Sequence, residues 1–201
     1  MCAAKRLGEV ERRKEIMDSA AKVIAEKGLE KTTMEEIIAG TSLSKGGVYH
    51  YYGSVIEIFR DIMINGNKYR DEIIREHLDK SHKNVTKEFM AKELVTKIID
   101  DNPYIPLYVE FLIAKKRNPE LSNLMIELQE QTKERLKTVM NEEPRWITDS
   151  NIFQLVTDFV NAMILASNVL EARENLTKNR HILEKMIICI FENGGTENEV
   201  L

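Results

Sequence analysis

The run Ser44-Lys-Gly-Gly-Val-Tyr-His-Tyr-Tyr52 concentrates more polar chemistry than any other stretch of the chain. Within nine residues it holds a hydroxyl, an ammonium, an imidazole and three phenols. All of these groups can donate hydrogen bonds, and the lysine adds a positive charge. Placed on a helical wheel, Val48 and Tyr52 fall together and face inward with Leu43 of the preceding turn. Gly46, Tyr49 and His50 occupy the opposite arc, with Lys45 on its rim. That outer arc is small at its N-terminal end and rich in donors further along. A helix that enters a DNA groove needs this arrangement: little bulk where the backbone approaches base edges, exposed N–H groups and a positive dipole end for phosphate, and donors beyond them.

The flanking sequence must position this helix. Residues 9–27 repeat apolar positions at helical spacing (Ile16, Ala20, Val23, Ile24), and Gly28 supplies a stop with Leu29 available to pack back. Thr33-Met-Glu-Glu36 has capping-box spacing and predicts a short second helix ending at Ala39-Gly40. A four-residue turn, Gly40 to Leu43, leads to Ser44, a good N-cap for the third helix. Ser54-Val-Ile-Glu57 is a second capping box and opens a long helix carrying Ile56, Phe59, Met63, Tyr69 and Ile73, in which Asn65-Gly66 suggests a bend. Helix, short turn, helix is the spacing of a helix-turn-helix.

The whole chain reads as soluble and helical. It has 201 residues, 43% hydrophobic and 31% charged, with only 4 Pro and 9 Gly, which fits a folded globular protein rich in helix formers. The N-terminal MCAAKRLGEVERRKE lacks the apolar core of a signal peptide, and no apolar run approaches the length of a membrane span, so a cytoplasmic protein without membrane contact is expected. Cys2 and Cys189 lie at opposite ends with no metal-ligand spacing, and are read as reduced thiols. The net charge of −4 is unevenly spread: residues 1–55 hold nine Lys and Arg against eight acids, so the remainder carries the acidic excess. No Ser-His-Asp order, glycine-rich phosphate loop or paired metal ligands stand out, and His77, His82 and His181 are too scattered to form a site. No enzyme, metal or cofactor is expected.

The stretch from Arg12 to Phe59, and above all Leu43-Ser-Lys-Gly-Gly-Val-Tyr-His-Tyr-Tyr52, resembles the N-terminal domain of TetR-type transcriptional regulators. The resemblance implies an all-α homodimer. Residues 1–54 would form a three-helix helix-turn-helix DNA-binding domain, and 55–201 a larger helical domain for ligand binding and dimerisation. Carried over residue by residue, Thr33, Ser44, Lys45, Gly46, Tyr49, His50 and Tyr51 would face a double-stranded DNA operator, and Tyr52 would be core. One position departs: the family usually places a lysine just inside the fourth helix, where this chain has Val55.

Beyond residue 80 only helices are legible: 85–100, one opened by Asn102-Pro103, one opened by Asn118-Pro119, a loop around Glu142 to Trp146, then 150–173 and 176–193 closed by Gly194-Gly195. The last two are apolar on more than one side, which predicts burial on two sides. Their residues Phe159, Met163, Leu170, Met186, Ile187 and Ile190 are the expected dimer interface. Tyr69, Phe89, Tyr104, Tyr108, Phe111, Met125, Trp146, Phe159 and Met163 are candidates to line a pocket for a small apolar or aromatic effector that releases DNA, although each also suits plain core. The alternative is a helical dimer that serves DNA architecture or protein partners without small-molecule control.

Overall fold

A computed structural model of the chain describes residues 8–81, 85–139 and 145–193. Every regular element in these segments is helical. In chain order they are α1 (Glu9–Lys27), a short 3-10 turn at Leu29–Lys31, α2 (Met34–Ala39), α3 (Lys45–Tyr49), α4 (Val55–Ser81), α5 (Lys87–Ile99), α6 (Tyr104–Ala114), α7 (Pro119–Val139), α8 (Arg145–Thr148), α9 (Ser150–Val169), α10 (Arg173–Lys178) and α11 (Arg180–Asn193). Cys2, His82, the loop residues Glu142–Pro144 and the Gly194-Gly195 stop lie outside the described residues.

The starts are set by side chains the sequence advertises. Thr33 Oγ1 accepts from the Glu36 N–H while the Glu36 carboxylate accepts from the Thr33 N–H, a complete capping box. Ser44 accepts from the Gly47 N–H at 3.2 Å, and Thr86 from the Phe89 N–H at 3.2 Å. Asn102 and Asn118 do the same for the first turns of α6 and α7, just ahead of or beside their prolines. Gly28 ends α1 at φ +84°, a conformation L side chains rarely adopt.

α4 runs as helix through Asn65-Gly66. Three expectations need correction. Trp146 lies in a short helical turn, α8, rather than a loop. The helix expected at 150–173 stops at Val169, followed by Glu171 at φ +57°. The one expected at 176–193 is two, α10 and α11, meeting at Asn179. α9 also qualifies, by length and composition, as a helix able to cross a membrane. Its apolar surplus has another use, since Ile152, Phe153, Val156, Val160 and Ile164 are buried within the chain, while Gln154, Asp158 and Asn168 interrupt the rest.

Packing forms two compact units. The first comprises residues up to Tyr69 together with Pro106–Leu124; the second comprises Arg70–Ile105 and the chain from Met125 onward. These units divide the chain elsewhere than the expected boundary between 1–54 and 55–201, because α6 and the start of α7 group with the N-terminal helices. The core of the first unit is built from Ile16, Ala20, Ile24, Ile37, Val48, Tyr52, Ile58, Phe59 and Phe111, with the Phe59 and Phe111 rings meeting edge to face at 6.3 Å. In the second, α5 packs on α9 and α11, and α8 packs on both of those helices. Trp146 meets Phe191 edge to face at 4.9 Å.

Candidate nucleic-acid interface

α3 is five residues long and buries a single side chain, Val48. A helix this short has too few internal hydrogen bonds to hold itself. It is fixed instead from both ends. Upstream, Arg12 of α1 donates to Ser42 Oγ at 2.9 Å, and the Ser42 N–H donates to Glu15 at 2.5 Å. The Ser42 bonds, ahead of Arg12, hold the Glu15 carboxyl below its usual range. Downstream, the Tyr52 hydroxyl donates to Asp61 of α4 at 2.8 Å, and the Arg13 guanidinium lies over both the Tyr51 and Tyr52 rings at 5.8 and 5.1 Å. Burial, then the Asp61 bond, pushes the Tyr52 phenol up to about 12. Beneath the turn, α1 and α2 touch closely: Ser19 donates to the Ile37 carbonyl at 2.7 Å, and a Cβ on Gly40 would overlap Ser19 Oγ.

The outward arc has the composition read from the wheel. Thr33, Ser44, Lys45, Gly46, Tyr49 and His50 are exposed, while Tyr52 and Val48 are buried. Tyr51 is only half-buried, with its ring against Arg13 and edge to face with His50 at 5.0 Å. Lys45 stands 3.8 Å from Glu35, both well exposed, with its ammonium 5.9 Å from the centre of the Tyr49 ring. An ion pair this open is weak and gives way readily to a phosphate.

The two glycines of α3 differ. A Cβ on Gly47 would press on Leu43 at 3.3 Å, so its smallness serves the fold. A Cβ on Gly46 would meet nothing within 4 Å. Nothing among the described residues explains why position 46 carries no side chain in a helix, where glycine is disfavoured by ~1 kcal/mol relative to alanine. A surface that must approach another molecule closely does explain it. Val55, where the resemblance leads one to look for lysine, is the first residue of α4 and half-buried.

The nine pocket candidates are not gathered in one unit. Tyr69, Tyr108 and Phe111 belong to the first, Tyr69 being 37% exposed and Phe111 fully buried core. Phe89, Tyr104, Met125, Trp146, Phe159 and Met163 belong to the second. Of the expected interface residues, Leu170 and Met186 are exposed, and Phe159, Met163 and Ile190 half-buried. Ile187 is a correction: it is fully buried in its own unit, on the inner side of α11, and is core. Leu155 on α9 and Ile182 on α11 are 52% and 46% exposed, and add to the apolar side chains that these two helices leave uncovered. Sequence reading missed Arg13 and Asp61 as supports of α3. An Arg-Arg-Lys run reads as a solvated face, and only the fold shows one of its members turned toward tyrosines.

Residues 16–62 match the family model for bacterial regulatory proteins of the tetR family. Over 114 residues the chain is 36% identical to YfiR, an HTH-type transcriptional regulator of Bacillus subtilis, an alignment covering 54% of each chain. It thus spans about half the length of that relative. It is 28% identical over 171 residues to IcaR of Staphylococcus epidermidis, the negative transcriptional regulator of the biofilm operon icaADBC, covering 84% of this chain and 87% of IcaR. Among solved structures, Salmonella enterica GusR superposes with a TM-score of 0.72 at 15% identity, covering 94% of this chain and 99% of that one. The helix-turn-helix surface, the family model and these relatives agree: residues 16–62 match the tetR-family regulatory domain, and the chain is similar to transcriptional regulators that carry it.

Proposed function

We propose that this regulator is a homodimeric repressor that holds a pseudo-palindromic operator with two copies of α3 and releases it when a small molecule binds the second unit. The observation that carries the DNA-reading face is Gly46, left open by the fold at the tip of an exposed arc of Ser44, Lys45, Tyr49 and His50. Thr33 stands at the N-terminus of α2, where a free backbone dipole favours phosphate. Dimerisation is supported by the stripe of Leu155, Phe159, Ala162 and Met163 on α9 and Ile182, Met186 and Ile190 on α11. These lie at helical spacing on two neighbouring helices, and none is fully covered within the chain. A two-fold pairing of these helices gives a four-helix interface and presents two reading helices, hence a two-fold operator.

The contacts of Glu110 suggest how α6 would influence the reading head. Its carboxylate accepts from the Leu29 N–H at 3.0 Å, just past the Gly28 stop, and Arg117 donates to Glu30 at 2.8 Å. A shift of α6 therefore pulls on the end of α1. The experiment is selection of binding sites from a random duplex pool, followed by affinity measurements on the winner. Enrichment of a two-fold sequence, with loss of binding in Tyr49→Ala, is the expected result. Failure to enrich any duplex removes the reading.

A further inference from the structure

The residues that lead into α2 alternate between solvent and core. Lys31 is exposed, Thr32 is 8% exposed and Thr33 is exposed again. Thr32 and Thr33 have extended backbone, at φ −80°, ψ 132° and φ −115°, ψ 155°. In extended chain, side chains two residues apart leave on the same side. Thr32 turns inward and its hydroxyl donates to the Gly28 carbonyl at 2.8 Å. Lys31 therefore stands beside Thr33 on one outward surface. Two extended residues span about 7 Å, and phosphates of one strand follow each other every 3.4 Å or so along a duplex axis, about two steps in that span. Lys31 precedes α2 and α3 follows it, so this surface continues from Thr33 away from the reading helix.

The end of α6 brings further positive charge to the same connector. Glu110 accepts from the Leu29 N–H at 3.0 Å, and Arg117 donates to Glu30 at 2.8 Å. Lys116 and Arg117 are both exposed in the turn after α6. That turn is fixed by its own bonds. The Arg117 and Asn118 N–H groups donate to the Ala114 carbonyl at 3.0 and 3.1 Å, and Ser122 Oγ donates to the Lys115 carbonyl at 2.7 Å. The nearby acids are engaged or peripheral: Glu30 pairs with Arg117, Glu36 with Lys27, and Glu120 is exposed at the start of α7. The Arg117 and Glu30 side chains are 71% and 63% exposed. A pair this open yields to a phosphate at little cost.

We propose that Lys31, Lys116 and Arg117 form a phosphate-contacting rim that extends the hold on double-stranded DNA beyond the segment read by α3. The inference rests on the DNA reading above and enlarges its footprint. The contacts go to the duplex backbone and not to base edges, so they add affinity and fix orientation without carrying sequence information.

The test compares the salt dependence of binding for the full-length parent, Lys31→Gln and the double variant Lys116→Gln/Arg117→Gln. Two duplexes are used: the enriched two-fold sequence alone, and the same sequence with about ten further base pairs, one helical turn, on each side. On the longer duplex Lys31→Gln should flatten the salt slope by about 1.8 per dimer, and the double variant by up to about 3.6, at roughly 0.9 per phosphate contact. On the bare sequence both variants should match the parent. All three side chains are exposed, so melting temperatures should stay close to the parent's; if the double variant melts lower, Lys31→Gln carries the test. Equal slopes on the longer duplex overturn the proposal while the DNA reading stands, and leave the rim to an acidic protein partner or to solvent. A loss of equal size on both duplexes also overturns it, because the contacts then lie within the half-site. A parent that binds neither duplex removes the DNA reading and this inference together.

Discussion

Gly46 and Gly47 are neighbours with opposite reasons for being small, and the difference can be measured. Alanine at Gly46 meets open space and gains helix propensity, so Gly46→Ala should raise thermal stability by up to ~1 kcal/mol. The same methyl should lower operator affinity, because in the DNA-bound arrangement proposed here it stands where base edges approach. Denaturation and DNA titration of one variant separate the two effects, and unchanged affinity would put the closest approach elsewhere. Val55 offers the converse experiment. It begins α4 beside Ser54, whose hydroxyl accepts from the Glu57 N–H at 3.2 Å, and in the DNA-bound arrangement proposed here it borders the phosphate backbone. Val55→Lys should steepen the salt dependence of binding by roughly 0.9 for each phosphate neutralised, about 1.8 per dimer. A cation in the first turn opposes the helix dipole and costs ~0.3–1 kcal/mol of stability. Affinity should therefore rise most at low salt while the melting temperature slips. Identical salt slopes for parent and variant would show that residue 55 does not face DNA.

At the scale of elements, α3 shows how a helix too short to stand alone is placed by its neighbours. Tyr52 packs its ring in the core and sends its hydroxyl to Asp61, and Arg13 closes the same group from α1 with a contact to Asp61 at 3.6 Å. Tyr52→Phe keeps the packing and removes the donor, so it should cost about 1 kcal/mol of stability. It should weaken operator binding without altering sequence preference, because the phenol orients the helix and touches no base. A changed preference in a binding-site selection would place Tyr52 in the reading surface instead. The start signals of these elements were legible in the sequence because capping is local: Thr33, Ser44, Asn102 and Asn118 each act within three residues. The inward and outward arcs of α3 were legible for the same reason, since Val48 and Tyr52 need only helical spacing to be assigned. The breaks at 170–172 and Asn179 were not, because Leu-Glu-Ala and Lys-Asn-Arg carry no Gly or Pro to announce them. A charged cluster in the second unit was equally hidden. Glu93 and Lys97 sit four apart on one helix and read as a solvated pair, whereas Glu93 is buried against Arg70 and His77, which come from a helix more than a dozen residues earlier in the chain.

For the molecule as a whole, two features set stability apart from the DNA surface. The first is Lys97, whose folded pKa of about 8 lies below its ordinary 10.5. Between those values the unfolded chain binds the proton that the folded chain has released, so stability should rise with pH across that window. The penalty is fully present below pH 8, where the lysine is charged against Arg70 with Asp71 offsetting it in part. Urea denaturation at pH 7.5 and 9.5 should show this rise in the parent and a flatter response in Lys97→Met; parallel responses would mean that the ammonium is not desolvated. The second is the apolar stripe on α9 and α11. Ile187, fully buried, cannot report on assembly, since a charge there would unfold the unit whether or not a partner exists. Met186 can, because it is 45% exposed on the same helix one step round. In a monomer Met186→Glu adds a solvated charge and changes stability by only a few tenths of a kcal/mol. In a two-fold interface the substitution enters twice, placing two carboxylates near the symmetry axis in an apolar setting, at a cost of several kcal/mol. Sedimentation should therefore give a dimer for the parent at micromolar concentration and a folded monomer for the variant. The monomer, with one reading helix, should retain only weak binding to a single half-site. A variant that stays dimeric would move the interface off this stripe and with it the spacing expected between half-sites.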